Sequence, residues 1–439
     1  MQQIDLTEGK VIKILLALAL PIMGSSFLQF TYSLVDMLWI GHLGSNAVAS
    51  IGSSSFFINL GYALNALIMI GTGIKVSHYM GKADVKGVKG YIHSGIVLSA
   101  IIGIGYAFIL LLLGKVFIGF LGLNDQQVEQ DAYKYLAWSA PMLFFSFFNN
   151  VFLRVFTSLG NSKSAFKISA AGVLLNIGLD PLFIYSLKGG IVGAALATLI
   201  AQGVMFGLYL VIGKDFLLFN WKKPVNFNKM KEIITLGSPI AFQRILFTLI
   251  NIILAKMIAT FGTDAVAAQR IGIQVESIIY MVTGGLNGAV ASFIGQNYGA
   301  GKGKRLYKGY QMAMGIGIVY AAVSSLVFIF FSEQLAGLFV KEGNTITIAV
   351  SYLKVIAYSQ LFNAMEMVAN GFFTGLGKPN IPATISIIFT ALRLPMAYIG
   401  IRYLGIEGIW WSITLSTFLK GSLLVGIAMP VIKTIKMNQ

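Results

Sequence analysis

Residues 14–44 read ILLALALPIMGSSFLQFTYSLVDMLWIGHLG, and the first 22 of them, Ile14 to Val35, carry no charge. A helix of roughly 20 apolar residues crosses the ~30 Å hydrocarbon layer of a bilayer, so this stretch is long enough to be a transmembrane span. The same composition continues outward from it. Uncharged runs occupy Val48 to Ile74, Tyr91 to Gly114, Tyr135 to Leu153, Gly189 to Gly213, Ser277 to Gly301 and Gly309 to Ser332. Interrupted runs lie at Lys167 to Tyr185, Pro239 to Ile258, Tyr352 to Gly371, Pro379 to Tyr403 and Gly408 to Ile432. Together they predict twelve spans in an all-α membrane protein. Only 11% of the 439 residues are charged and 56% are hydrophobic, against about a quarter charged in soluble domains. Lys10 and Lys13 precede the first run, but Asp5, Glu8 and the length of the run argue against a cleaved secretory signal. The chain has no cysteine, which excludes disulfides and thiolate chemistry.

The net charge of +16 is informative through its distribution. Lys75, Lys82, Lys86 and Lys89 crowd one connection; Arg154, Lys163 and Lys167 another; Lys214, Lys222, Lys223, Lys229 and Lys231 a third; Lys302, Lys304, Arg305 and Lys308 a fourth. Lys378 and the terminal Lys433 and Lys436 complete the set. All fall on even-numbered connections or at the C-terminus, while the odd ones hold acids such as Asp125, Glu129, Asp131, Asp264, Glu333, Glu342 and Glu407. By the positive-inside rule both termini are expected in the cytoplasm. The basic charge reads as topology, so no nucleic-acid partner is expected.

The chain is also duplicated. A shift of 218 superposes Pro21 on Pro239, Gly44 on Gly262, Ala47 to Ala49 on Ala265 to Ala267, and Gly81 on Gly299. A shift of 217 pairs Tyr135 and Leu136 with Tyr352 and Leu353, and Phe156, Thr157, Leu159 and Gly160 with Phe373, Thr374, Leu376 and Gly377. The expected plan is an N-lobe of helices one to six (1–213), a cytoplasmic interfacial linker (214–232) and a C-lobe of helices seven to twelve (233–439). Six is even, so both halves enter from one side and are related by a pseudo-twofold axis along the membrane normal. Two such bundles suit a transporter working by alternating access better than a channel.

Ionisable groups inside a bilayer cost roughly 3 kcal/mol on insertion scales and mark functional sites. Asp36 is about 8 Å of helical rise from Gly41, so a position among the headgroups is its plain alternative. Asp180, in NIGLDPLFIY, stands nine residues before Gly189 and reads as well inside the hydrocarbon. Asn176 is one turn earlier on the same face, and Pro181 cannot donate a backbone bond to the carbonyl of Ile177. Thr198 lies at matching depth on the next helix. Carboxylate, amide and hydroxyl oxygens at one depth suit a hard cation or a titrating pair. The duplication supplies a control: Asp36 aligns with Leu254, and Asp180, through its following proline, with Leu394. The second half builds the same helices without these acids, so folding does not require them.

These motifs, with Pro21 upstream and the two-half plan, resemble the multidrug and toxic compound extrusion family, and most closely its DinF-type prokaryotic branch. The resemblance covers essentially the whole chain. It implies an antiporter of the prokaryotic cytoplasmic (inner) membrane that expels amphipathic, often cationic compounds in exchange for entering H+ or Na+. It implies a monomer with no cofactor beyond the coupling ion, and places that ion, Na+ included, at Asp36, Asn176, Asp180 and Thr198. The family's polar cavity lining is similar to Gln29, Tyr32, Tyr135, Asn149 and Asn150. Another branch carries acidic cation ligands in the second lobe, where this chain has Phe247 and Asn363. Glu366 one turn away and Glu276 on helix eight are cavity candidates there, with ion pairs to Arg244, Lys256 or Arg393 as the alternative.

Other classes are disfavoured. GLGKPN and GAGKGK lack the G-x-x-x-x-G-K-[ST] spacing, so no nucleotide is expected. His42, His78 and His93 show no metal-ligand spacing. Gly-x-Ser-x-Gly and His-Glu-x-x-His motifs are missing, which argues against an intramembrane enzyme. The nearest alternative is a related flippase for lipid-linked sugars or another lipid, for which Arg154, Arg244, Lys256 and Arg393 would be the basic groups.

Overall fold

The computed structural model describes residues 4–123, 125–217 and 225–437, and these contain helices and turns but no strand. The first six long helices are α1 (Val11–Gly41), α2 (Ser45–Gly81), α3 (Val85–Phe120), α4 (Gln126–Ser158), α5 (Ser162–Pro181) and α6 (Gly190–Ile212). A short α7 (Lys214–Leu217) follows. Lys222 and Lys223, and with them the middle of the expected linker, lie outside the described residues. The second half comprises α8 (Phe227–Ala259), α9 (Thr263–Gly299), α10 (Gly303–Phe330), α11 (Ser332–Gly337), α12 (Gly343–Ala357), α13 (Gln360–Gly375), α14 (Asn380–Ala391), α15 (Arg393–Leu404) and α16 (Glu407–Met437). Among the described residues, eleven helical spans are long and apolar enough to cross a membrane, and α12 with α13, bent by 52°, taken as one span makes a twelfth. The all-α, twelve-span fold class expected from the sequence is the one found.

The breaks inside spans have local causes. Pro395 has no N–H to give, and α14 ends just ahead of it at Ala391. At the α12–α13 bend, the Ser359 hydroxyl donates to the carbonyl of Ile356 at 2.7 Å and competes with the helix ladder there. After Pro181 the chain widens into a π-helix, Leu182–Ser186, whose Leu187 N–H reaches back five residues to Leu182.

By contacts the chain divides into two units. One is Gly24–Ala241 with Ile4; the other joins Asp5–Met23 to the residues from Phe242 onward. In the first, Phe152, Phe156, Tyr209 and Ile233 are among the fully buried side chains. In the second, Leu254, Tyr352, Ile356 and Trp410 are among the fully buried side chains. The same turn opens the second helix of each repeat: Gly44 has φ 102° and Gly262 φ 101°. That backbone is open essentially to glycine alone.

Candidate functional site

In the first unit, α1, α5 and α6 carry the candidate residues. Asp180 is fully buried and Asn176 nearly so, as expected for residues one turn apart on a face of α5 turned away from lipid. The Asn176 amide Nδ2–H donates to Asp180 Oδ1 at 3.0 Å. Among the described residues, Asp180 Oδ2 has no hydrogen-bond partner. A buried carboxylate oxygen left bare is costly unless a proton or a cation completes it. Asp36, half-buried on α1, lies within electrostatic range of Asp180, and Tyr32 and Tyr135 lie within range of both acids. Among the described residues, neither acid has a lysine or arginine at ion-pair distance.

Thr198 joins this group through Tyr32. The Thr198 hydroxyl donates to the carbonyl of Ala194 at 3.0 Å and stands 3.2 Å from the Tyr32 hydroxyl. With the threonine proton committed to the carbonyl, Tyr32 donates to Thr198 Oγ1. The π-helix after Pro181 adds a tie between α5 and α1, because the Tyr185 hydroxyl donates to the carbonyl of Trp39 at 2.5 Å. Trp39 is three residues from Asp36, so the turn created by Pro181 fastens α1 beside its carboxylate.

The other lining candidates divide. Asn149 is buried and its Nδ2–H donates to Gln202 on α6, at 2.7 Å to the side-chain Oε1 and 2.9 Å to the main-chain oxygen. That places Asn149 in an α4–α6 tie, and Gln202, one turn beyond Thr198, is a polar partner with no distinguishing mark in the sequence. Asn150 is half-buried and Gln29 exposed, and neither shows a bond to the Asp36–Asp180 group.

In the second unit Glu276 accepts from the Tyr352 hydroxyl at 3.0 Å. Glu366 forms an ion pair at 3.0 Å with Lys420 of α16, and accepts from Ser386 at 3.4 Å. Its base is therefore none of Arg244, Lys256 and Arg393, the three offered by the sequence. Lys420 interrupts an otherwise apolar run, and only the packing of α16 on α13 reveals its partner. Arg393 is bound to hydroxyls: Nε–H donates to Ser416 at 2.6 Å and Nη2–H to Thr417 at 3.3 Å.

Comparison with known proteins gives this arrangement a family. The MatE family model matches residues 21–182 and 239–399, one match in each half of the duplicated chain. "Probable multidrug resistance protein YpnP" of Bacillus subtilis is 29% identical over 425 residues, covering 95% of this chain and 94% of that protein. "Probable multidrug resistance protein NorM" of Thermotoga maritima is 26% identical over 410 residues, covering 91% and 88%. A solved structure described as an outward-facing conformation of a multidrug resistance MATE family transporter shares the fold with a TM-score of 0.92 at 23% identity, covering 100% of this chain and 99% of that one. Two matched halves, twelve spans and relatives aligned end to end make the chain a member of the MatE family of multi-pass membrane transporters, which are secondary transporters and not enzymes.

Proposed function

We propose that the chain exports amphipathic, often cationic compounds by cation-coupled antiport, in the manner of the DinF-type branch. In this reading Asp36, Asp180, Asn176 and Thr198 take the entering H+ or Na+. The observation that carries it is the bare Oδ2 of fully buried Asp180, within electrostatic range of a second acid and, among the described residues, with no base at ion-pair distance. A proton there forms an O–H. A sodium ion would draw oxygens from both carboxylates, the Asn176 amide and the Thr198 hydroxyl, a donor set suited to a hard cation. Either one neutralises charge that is expensive at that depth. Its arrival favours the conformation that releases solute outside, and its loss to the cytoplasm resets the cycle.

The proposed frame places both termini in the cytoplasm of a cell with one chain as the working unit in its cytoplasmic membrane. Lobes 1–213 and 233–439 are joined by the 214–232 linker. The names of YpnP and NorM support small drugs as the cargo. One charge entering through 100 mV supplies ~2.3 kcal/mol, enough for about 50-fold accumulation of an uncharged solute at full coupling.

Transport in proteoliposomes with separately imposed pH and sodium gradients identifies the ion. Asp180→Asn is expected to insert normally and lose ethidium export under both gradients. Export undiminished in that variant would refute the assignment.

A further inference from the structure

The two units treat buried acid differently. Among the described residues, Asp180 in the first has an amide and no base at ion-pair distance, whereas Glu366 in the second has an ammonium directly on it. The side chains of Lys420 and Glu366 are only 6% and 8% exposed, so bulk ions do not compete for either. Backbone packing sets the pair. A Cβ on Gly421 would fall 2.3 Å from the carbonyl oxygen of Phe362, so α16 and α13 touch main chain to main chain beside Lys420 and one turn before Glu366. Arg393, within electrostatic range of Lys420, is committed to the Ser416 and Thr417 hydroxyls. The pairing of Glu366 with Lys420 is thus specific.

We propose that Lys420 is a tethered cation that permanently fills a carboxylate site in the second unit, and that this confines exchange of a free ion to the Asp36–Asp180 group. The second clause rests on the coupling role given above to those two acids. Occupation by a lysine has a distinct consequence. Glu366 is neutralised in every conformation that keeps α13 and α16 together, without drawing on the proton or sodium gradient. Truncating the lysine leaves an unpaired buried carboxylate, the costly way to break such a pair. It also leaves a slot with the shape of the lost Cγ–Cδ–Cε–ammonium stem, which is n-propylammonium. The free amine crosses membranes, so it can reach the slot.

The test uses the full chain and n-propylamine. Lys420→Ala is expected to lose most of its ethidium export and to regain it with the amine. The melting temperature of purified Lys420→Ala should rise saturably with n-propylamine. Wild type, its site filled, should show no rise, and neither should the double variant Glu366→Gln/Lys420→Ala, which has no carboxylate. Full export by Lys420→Ala without amine, or a melting shift equal in all three proteins, would overturn the proposal. If Lys420→Ala is recovered folded only when amine is present, the proposal is supported. If amine does not recover it while the double variant folds, the proposal fails. The amine shift involves neither Asp36 nor Asp180, so its absence counts against the tethered cation alone, and undiminished export by Asp180→Asn counts against the ion site alone.

Discussion

Asp180 draws its setting from the residue after it. Pro181 withholds an N–H, the chain answers with the π turn Leu182–Ser186, and that turn delivers Tyr185 to the carbonyl of Trp39. Single π turns are common at functional sites because they reorient a few side chains without ending the helix. Pro181→Ala restores the missing donor and should let the segment relax toward a regular α-helix. The variant is expected to be more stable by about 1 kcal/mol and to export less, as the Tyr185–Trp39 tie beside Asp36 loosens. Paired melting and ethidium-efflux measurements check this, and export at wild-type level with higher stability would show the π turn to be incidental. The acids themselves were legible in the sequence, since charge inside an apolar run is conspicuous. Gln202 and Lys420 were not, because an amide or one lysine in a span gains meaning only from the neighbour that packing brings to it.

The division between units cuts the first long helix of each repeat, after Met23 in α1 and after Ala241 in α8. These positions are 218 residues apart, the shift of the duplication, and each follows a proline, Pro21 or Pro239, by two residues. In the second unit the segment leading into α1 is held by its backbone. Asn297, fully buried, donates Nδ2–H to the carbonyl of Leu6 at 3.0 Å, and Arg305 donates to the carbonyls of Leu6, Glu8 and Gly9. Asn297→Leu removes one of the two donors to the Leu6 carbonyl, Arg305 keeping the other, and should cost about 0.5–1.5 kcal/mol, read as a lower unfolding midpoint in detergent. At the start of the segment burial pushes the Asp5 carboxyl up, but the Thr7 N–H and hydroxyl, with Lys302 and Arg305, outweigh it and hold Asp5 below the usual carboxylate range. A lowered native value stabilises the fold above the unfolded-state pKa of about 4. That contribution fades as pH falls through the native value. Asp5→Asn should therefore be less stable than wild type near neutral pH, by under ~1 kcal/mol because the group is solvent-screened, and the difference should vanish in strong acid. A gap that persists there would assign it to lost packing. Hydropathy made the helices legible; of their breaks, Pro181 and Pro395 signal two, while the α12–α13 bend turns on Ser359, a residue with no such mark in the sequence.

At the scale of the whole molecule, duplication explains how one chain carries two frames with different chemistry. Aligned positions keep the backbone while the polar groups diverge, with Asp36 set against Leu254. The shared frame is visible in its glycines: Gly160 and Gly377 repeat a left-handed turn at φ 81° and 77°, as Gly44 and Gly262 repeat theirs. The alignment exposed these pairs because a glycine demanded by backbone geometry resists replacement more than a packing residue does. Charge partners escaped it, since they differ between the halves. The Gly44 and Gly262 turns allow a clean test of how independent the repeats are. A Cβ built on either meets nothing within 4 Å, so substitution there costs backbone strain and no steric clash. Gly44→Ala and Gly262→Ala should each cost about 1–3 kcal/mol, and as the two turns belong to different units, independent repeats would make their effects add in the double variant within about 0.5 kcal/mol. Equilibrium unfolding in mixed micelles gives all three values. A double variant much less damaged than the sum would mean that one substitution already disorders what the other turn supports, and the repeats would then be a single cooperative body.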